Sequence, residues 1–196
     1  TVARFQSTAV NGGYMTYVGG STTYIGASLA MLGTGTASDF AIIGSGTNNL
    51  ILGTSSSEKM RIDSAGRVTM PYQPAFKAHV VGSPTMVNSG NIPFSAVSLN
   101  TGSYYNTSNQ TFTAPVAGTY VFGGMFRVEG SASFVHLSTS VNGSNGAQNG
   151  ELPGLSTGNG SGFTAAPFVY LRYLSAGDSL IITGHFEGTS TRNVNS

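Results

Sequence analysis

Apolar and polar positions alternate most clearly in residues 110–128, where Pro115 and Gly118 punctuate two extended runs. Proline fixes its own backbone angle and glycine tolerates a positive one, so the chain turns here and a strand starts near Thr119. Side chains alternate across a strand, which places Tyr120, Phe122, Phe126 and Val128 on one face and Val121 and Met125 on the other. Both faces are apolar. Such a strand needs cover twice: a sandwich core on one side, a second sheet or subunit on the other. Residues 133–141 also alternate, with Val135, Leu137 and Val141 predicted inward and His136, Ser138 and Ser140 outward. Periodicity two recurs throughout and no window has a helical apolar face, so the expectation is an all-β chain without helix.

The first 70 residues have a different texture. Short apolar words end in glycine at Gly26, Gly33, Gly44 and Gly53, roughly seven to eleven residues apart, too short and uneven for helical repeats or propeller blades. Strands this short cannot bury their apolar side alone, which favours stacking with equivalent strands of partner chains. In residues 57–68, Met60 and Ile62 point one way and Lys59, Arg61 and Asp63 the other, before Ala65-Gly66 turns the chain. By pattern alone this is equally a surface hairpin with solvated charges. Pro71 and Pro74 then mark a stiff connector, because each lacks a ladder donor. The predicted organisation is a repetitive β-rich unit over 1–70, a connector over 71–74 and a β-sandwich over 75–196.

Two phrases carry family resemblances. Phe112-Thr-Ala-Pro-x-x-Gly-x-Tyr-x-Phe122 resembles the central strand pair of the C1q-like family, trimeric jelly rolls related to tumour necrosis factor. The likeness extends to Pro74-Ala-Phe76, to Ile92-Pro-Phe94 with Asn100, Tyr104 and Tyr105, and to residues 169–174 with Gly177-Asp178. It implies a jelly-roll head with Phe76, Phe112, Tyr120, Phe122 and Phe126 in its core and trimer contacts. Ser57-Glu-Lys-Met-Arg-Ile-Asp-Ser-Ala-Gly-Arg-Val68 resembles a phrase of bacteriophage tail-fibre and tailspike shafts, with Lys59 where arginine is common. That likeness implies an intertwined trimeric shaft. C1q-like heads close with an aromatic-Ser-Gly-aliphatic strand, and residues 192–196 lack one. The final strand is therefore expected to be missing, through an early end or a different closure, and the start at Thr1 reads as a fragment or processed product.

Composition narrows the function classes. Only 8% of the 196 residues are charged and the net charge is +1, which argues against a nucleic-acid partner, since phosphate binding needs clustered Lys and Arg. Cysteine is absent, so stability without disulfides is expected from trimerisation. No apolar run reaches membrane-spanning length, and no membrane insertion is expected. The 28 glycines with abundant Ser, Thr and Asn indicate many turns. They concentrate in residues 142–162, where Asn142, Asn145, Gln148, Asn149 and Asn159 offer donors and acceptors suited to sugar hydroxyls, or serve merely as turns. Tyr104, adjacent to Tyr105, is a further contact candidate because neighbouring strand residues face opposite ways.

The acidic residues fall in no paired acid–base motif, and Asp178 reads as a turn cap. His79, His136 and His185 have no zinc spacing, so neither a metal nor another cofactor is expected, although three-fold symmetry can make an axial ion site from one residue. Some C1q-like heads bind calcium, but no acidic cluster supports that here. No glycine word opens a helix to cradle phosphate, and no nucleophile elbow is present. The resulting expectation is a non-enzymatic tail-fibre tip, extracellular on a virion. It is a homotrimeric adhesin for a host-surface glycan or outer-membrane receptor, joined to other tail proteins through a missing N-terminal part. Two alternatives stay open: a polysaccharide depolymerase with carboxylates in an intersubunit groove, and a passive trimerisation module.

Overall fold

A computed structural model describes residues 14–18, 22–32, 34–36, 39–44, 46–130, 135–143, 163–186 and 191–195. The chain divides into two compact units, Thr1–Tyr72 and Gln73–Ser196.

The first unit is built from short antiparallel strands. β1 (Tyr14–Val18), β2 (Thr22–Ala27) and β3 (Phe40–Gly44) form one three-stranded sheet in that order. A second is made by β4 (Leu50–Thr54), β5 (Ser57–Ile62) and β6 (Val68–Thr69). The expectation of no helix is corrected at one point: Ser28–Leu32 forms a single helical turn, α1, after β2. One turn holds too few apolar positions to show a 3.6-residue period. Ser28 is anchored there, its amide donating to the Asp39 carbonyl at 2.9 Å.

The tail-fibre-like phrase spans β5, a turn and β6. Between Leu52 and Gly53 the register shifts, so that Leu52 opposes Met60 and Gly53 opposes Glu58. Lys59 is thus an extra bulge residue. That brings Glu58 onto the side of Arg61, and the Arg61 guanidinium grips both carboxylate oxygens. Asp63 closes the following turn by accepting from the Ala65 amide (2.9 Å), the Arg67 amide (3.0 Å) and Arg67 Nε (2.7 Å). The turn needs Gly66, whose φ is +82°. Lys59 lies over the Tyr72 ring, 4.0 Å from its centroid.

The second unit is a β-sandwich. Its strands are β7 (Ala75–His79), β8 (Thr85–Val87), β9 (Gly90–Asn91), β10 (Ala96–Thr101), β11 (Tyr105–Asn106), β12 (Thr111–Thr113), β13 (Gly118–Glu129), β14 (Val135–Val141), β15 (Phe163–Leu174), β16 (Ser179–Phe186) and β17 (Thr191–Asn195). One sheet runs β11-β12-β16-β14, with β9 also on β16; the other runs β15-β13-β17-β8. β7 and β10 form a separate two-stranded sheet. The core lies between the two main sheets: Val135, Leu137, Phe112, Leu180 and Phe186 from one meet Met86, Phe122, Phe126, Val128, Phe168 and Val194 from the other. Pro167 is tolerated inside β15 because β15 is an edge strand, which needs no ladder donor on its outer side.

Two expectations change here. Residues 191–195 do form a strand, but β17 meets β13 only at Arg127 and Val128 and pairs with β8 on its other side. The edge of β13 is therefore covered only in part, by a strand without the aromatic-Ser-Gly-aliphatic pattern. Ser138 and Ser140, predicted outward and wet, are buried. Both are small, and the Ser138 hydroxyl is satisfied across the strand pair by Thr183 Oγ1 at 2.5 Å.

Candidate functional site

Most of the loop candidates fall outside the described residues: Asn145, Gln148, Asn149 and Asn159 all do. Asn142 is described, and its side chain holds a turn. It sits at φ +52°, donates from Nδ2 to Asp178 Oδ1 at 2.7 Å and accepts from the Ser179 amide at 2.9 Å. Asp178 in turn accepts from the Ser175 amide at 2.7 Å. The Asn142 amide, then that backbone amide, hold the Asp178 carboxyl below the usual carboxylate range. Tyr104 is half-buried against the core, its ring over Gly102. It is Tyr105 that is buried, with Asn100 bonding both its amide and its carbonyl. Burial pushes the Tyr105 hydroxyl up to about 12, and it donates to the Phe94 carbonyl at 3.2 Å.

The aromatic residues expected in the core do come together. Phe76 stacks on Tyr105 at 4.7 Å and on Phe112 at 5.3 Å, and Phe112 meets Phe122 edge-on at 5.5 Å. Phe112, Phe122 and Phe126 are buried. Phe76 and Tyr120 are only half-buried, because they line the wall of an open cleft of about 800 Å³. Residues 74–79 and 120–125 are among those that line it. The Tyr120 hydroxyl escapes it, donating to the Val116 carbonyl at 2.7 Å.

The other face of β13 is open over residues 119–125. β13 pairs with β15 along its whole length, placing Val121 opposite Leu171, Gly123 opposite Val169 and Thr119 opposite Tyr173. Their outward side chains are wet: Val121 is 67% exposed, Met125 51%, Val169 65%, Leu171 62% and Tyr173 64%. No charged residue interrupts them along residues 119–125 of β13 or their partners in β15 on this face. Together they form an apolar patch on the order of 600 Å², the upper end of what monomeric proteins expose. A comparable pattern marks the first unit, where Phe40 is 73% exposed and Ile51, Leu52, Val68 and Met70 are also open.

A pairing that sequence spacing did not reveal is His136 opposite His185 on β14 and β16, with ring centroids 5.7 Å apart. Only the strand register brings these residues together. Desolvation, with His136 a smaller cause, holds the His185 imidazole below its ordinary value. Its Nδ1 lies 2.9 Å from Ser89 Oγ. Among the described residues no three His, Asp or Glu side chains converge as metal ligands, and no helix there is long and apolar enough to cross a membrane.

No protein-family model matches this chain, and no curated protein matches it significantly.

Proposed function

We propose that this chain is the distal part of a bacteriophage tail fibre: a trimeric shaft leading into a trimeric, C1q-like jelly-roll tip that attaches the virion to a host-surface glycan. The observation that carries the reading is the exposed apolar face that residues 119–125 of β13 make with their partners in β15, wet in a single chain and without a charged side chain. Burying it between copies removes on the order of 600 Å² of apolar surface per chain from water, at about 25 cal/mol per Å², and a cyclic trimer satisfies all three copies alike. The exposed apolar side chains of the short-stranded first unit support the same arrangement for the shaft. The Glu58–Arg61 grip and the Asp63 turn give the tail-fibre-like phrase a mechanical purpose, fixing a bulged hairpin without a core. Adhesion then works by avidity, since weak contacts to a repeated glycan add when three tips bind together.

A depolymerase would need carboxylates gathered in a groove. Among the described residues, Glu58, Asp63 and Asp178 each hold a local structural partner, which supports adhesion over hydrolysis. The test is binding of the labelled chain to a panel of bacterial cells and purified surface polysaccharides. Saturable binding that weakens at least tenfold when the apolar face is disrupted supports the reading. Release of reducing ends from the bound polysaccharide would overturn it.

A further inference from the structure

His136 on β14 and His185 on β16 stand directly opposite each other in an antiparallel pair, with ring centroids 5.7 Å apart and ring planes at 49°. Side chains of such a pair leave the sheet on the same side, so both imidazoles project from the face that carries Ser138 and Thr183. β16 lies between β14 and β9, and the two ring nitrogens of His185 are divided between those flanks. Nδ1 lies 2.9 Å from the hydroxyl of Ser89, in the turn before β9. Nε2 lies 3.3 Å from the hydroxyl of Ser138, on β14 and on the same face as His136. That second contact is long, and the Ser138 hydroxyl has a shorter one with Thr183 Oγ1 at 2.5 Å, so Nε2 gives it up at little cost. The His136 imidazole has no hydrogen-bond partner among the described residues.

We propose that His136 and His185 together bind one divalent transition-metal ion of the zinc, nickel and copper class, His185 ligating through Nε2. A ligating imidazole nitrogen sits about 2.0–2.1 Å from zinc, which puts its ring centroid about 3.2 Å from the ion and two such centroids roughly 5–6 Å apart. The observed 5.7 Å falls in that range without a shift of either strand. Ser89 supplies the outer support: by accepting Nδ1–H it holds the tautomer that leaves the lone pair on Nε2. Desolvation, ahead of the neighbouring His136, already favours the neutral form of His185. The donor type sets the choice of ion. Imidazole suits zinc, nickel and copper, whereas calcium and magnesium take oxygen ligands, and no His, Asp or Glu joins the pair as a third ligand among the described residues. Two protein ligands leave the remaining positions to water or to an outside donor, as in an exchangeable site and unlike a closed structural one. The ion ties β14 to β16, and because the unfolded chain holds no preformed pair, binding stabilises the fold.

The test is a titration of the tag-free, chelator-stripped chain with zinc by calorimetry and with copper by electron paramagnetic resonance, alongside His136→Gln, His185→Gln and His79→Gln. Glutamine keeps a hydrogen-bonding side chain at each position, and circular dichroism checks that every variant folds. The proposal expects one zinc ion per chain, copper lines split by two imidazole nitrogens, a melting temperature several degrees higher in saturating zinc, and no response to calcium. His136→Gln and His185→Gln are each expected to weaken binding at least tenfold, while His79→Gln, on β7, leaves it unchanged. Absence of binding at millimolar zinc would overturn the proposal. So would undiminished affinity in the His136 and His185 variants, which places the ion elsewhere on the chain, or one ion per three chains, which moves its ligands to a shared axis. Both ligands lie in one chain, so this idea and the trimer proposed above fail separately.

Discussion

Leu171→Asp puts a charge in the middle of the exposed apolar face, opposite Val121. In an isolated chain Leu171 is 62% exposed, so the fold itself loses little, within about 0.5 kcal/mol for a surface substitution. In the assembled state the arithmetic is different. Burying a leucine side chain contributes about 1.5–3 kcal/mol, of which the exposed share is roughly 1–2 kcal/mol, and that gain is lost. The carboxylate adds a desolvation cost of several kcal/mol, and Arg127, the cation on this face of β13, lies six residues along the strand from Val121, too far to offset it. A loss of about 3–5 kcal/mol per interface weakens each contact at least a hundredfold, and a ring of three interfaces multiplies the loss. Light scattering at micromolar concentration is expected to show the variant as monomer while circular dichroism retains the β signature. Leu171→Val, which keeps the face apolar, is expected to stay assembled. A Leu171→Asp chain with the same mass and melting curve as the parent would refute the placement of the interface on β13 and β15.

Other perturbations read other parts of the molecule. Phe122→Ala removes a buried ring packed edge-on against Phe112 and is expected to cost about 3–5 kcal/mol in urea unfolding; a loss below 1 kcal/mol would contradict the core assignment. Asn142→Ala deletes the side chain that ties Asp178 and Ser179, with an expected loss of about 1–2 kcal/mol, checked by the same titration and by faster exchange of the Ser179 amide. Acidification separates two groups of residues. His185 is held below its ordinary value of 6.5 in the fold, so the unfolded chain binds the proton more readily and stability falls as pH drops from about 7 through 6.5 to below the folded value. The lowered carboxyls Glu58, Asp63 and Asp178 act only further down, their contribution present above about 4.5 and lost as pH falls through their folded values. His185→Gln is expected to flatten the melting temperature between pH 7 and pH 5; an unchanged slope would show that His185 does not carry it.

Strand β13 and its two faces were legible because Pro115 and Gly118 set the turn that precedes it and period two assigned each side chain. Phe122, Phe126 and Val128 are inward and Val121 and Met125 outward, as alternation dictates. Features created by register were not legible. The bulge at Lys59 joins Glu58 to Arg61, although strict alternation puts them on opposite faces. The His136–His185 pair depends on which residues of β14 and β16 face each other, and local spacing carries no such information. Ser138 shows the limit of reading polarity as exposure, because a small hydroxyl is easily buried once Thr183 satisfies it. β17 escaped notice since Thr-Arg-Asn-Val-Asn offers one apolar residue, Val194, and that single side chain is fully buried against the core. As for the contact residues, Asn142 and Tyr104 turn out to hold structure, one in a turn and one against the core; amide-rich composition describes a loop's chemistry and leaves open which groups the fold consumes.

The most direct measurement is the mass of the chain in solution by sedimentation equilibrium across a hundredfold range of concentration. The account predicts three copies, held together until the apolar face of β13 and β15 is charged. A mass of one chain throughout that range would contradict it, removing both the intertwined shaft and the trimeric tip.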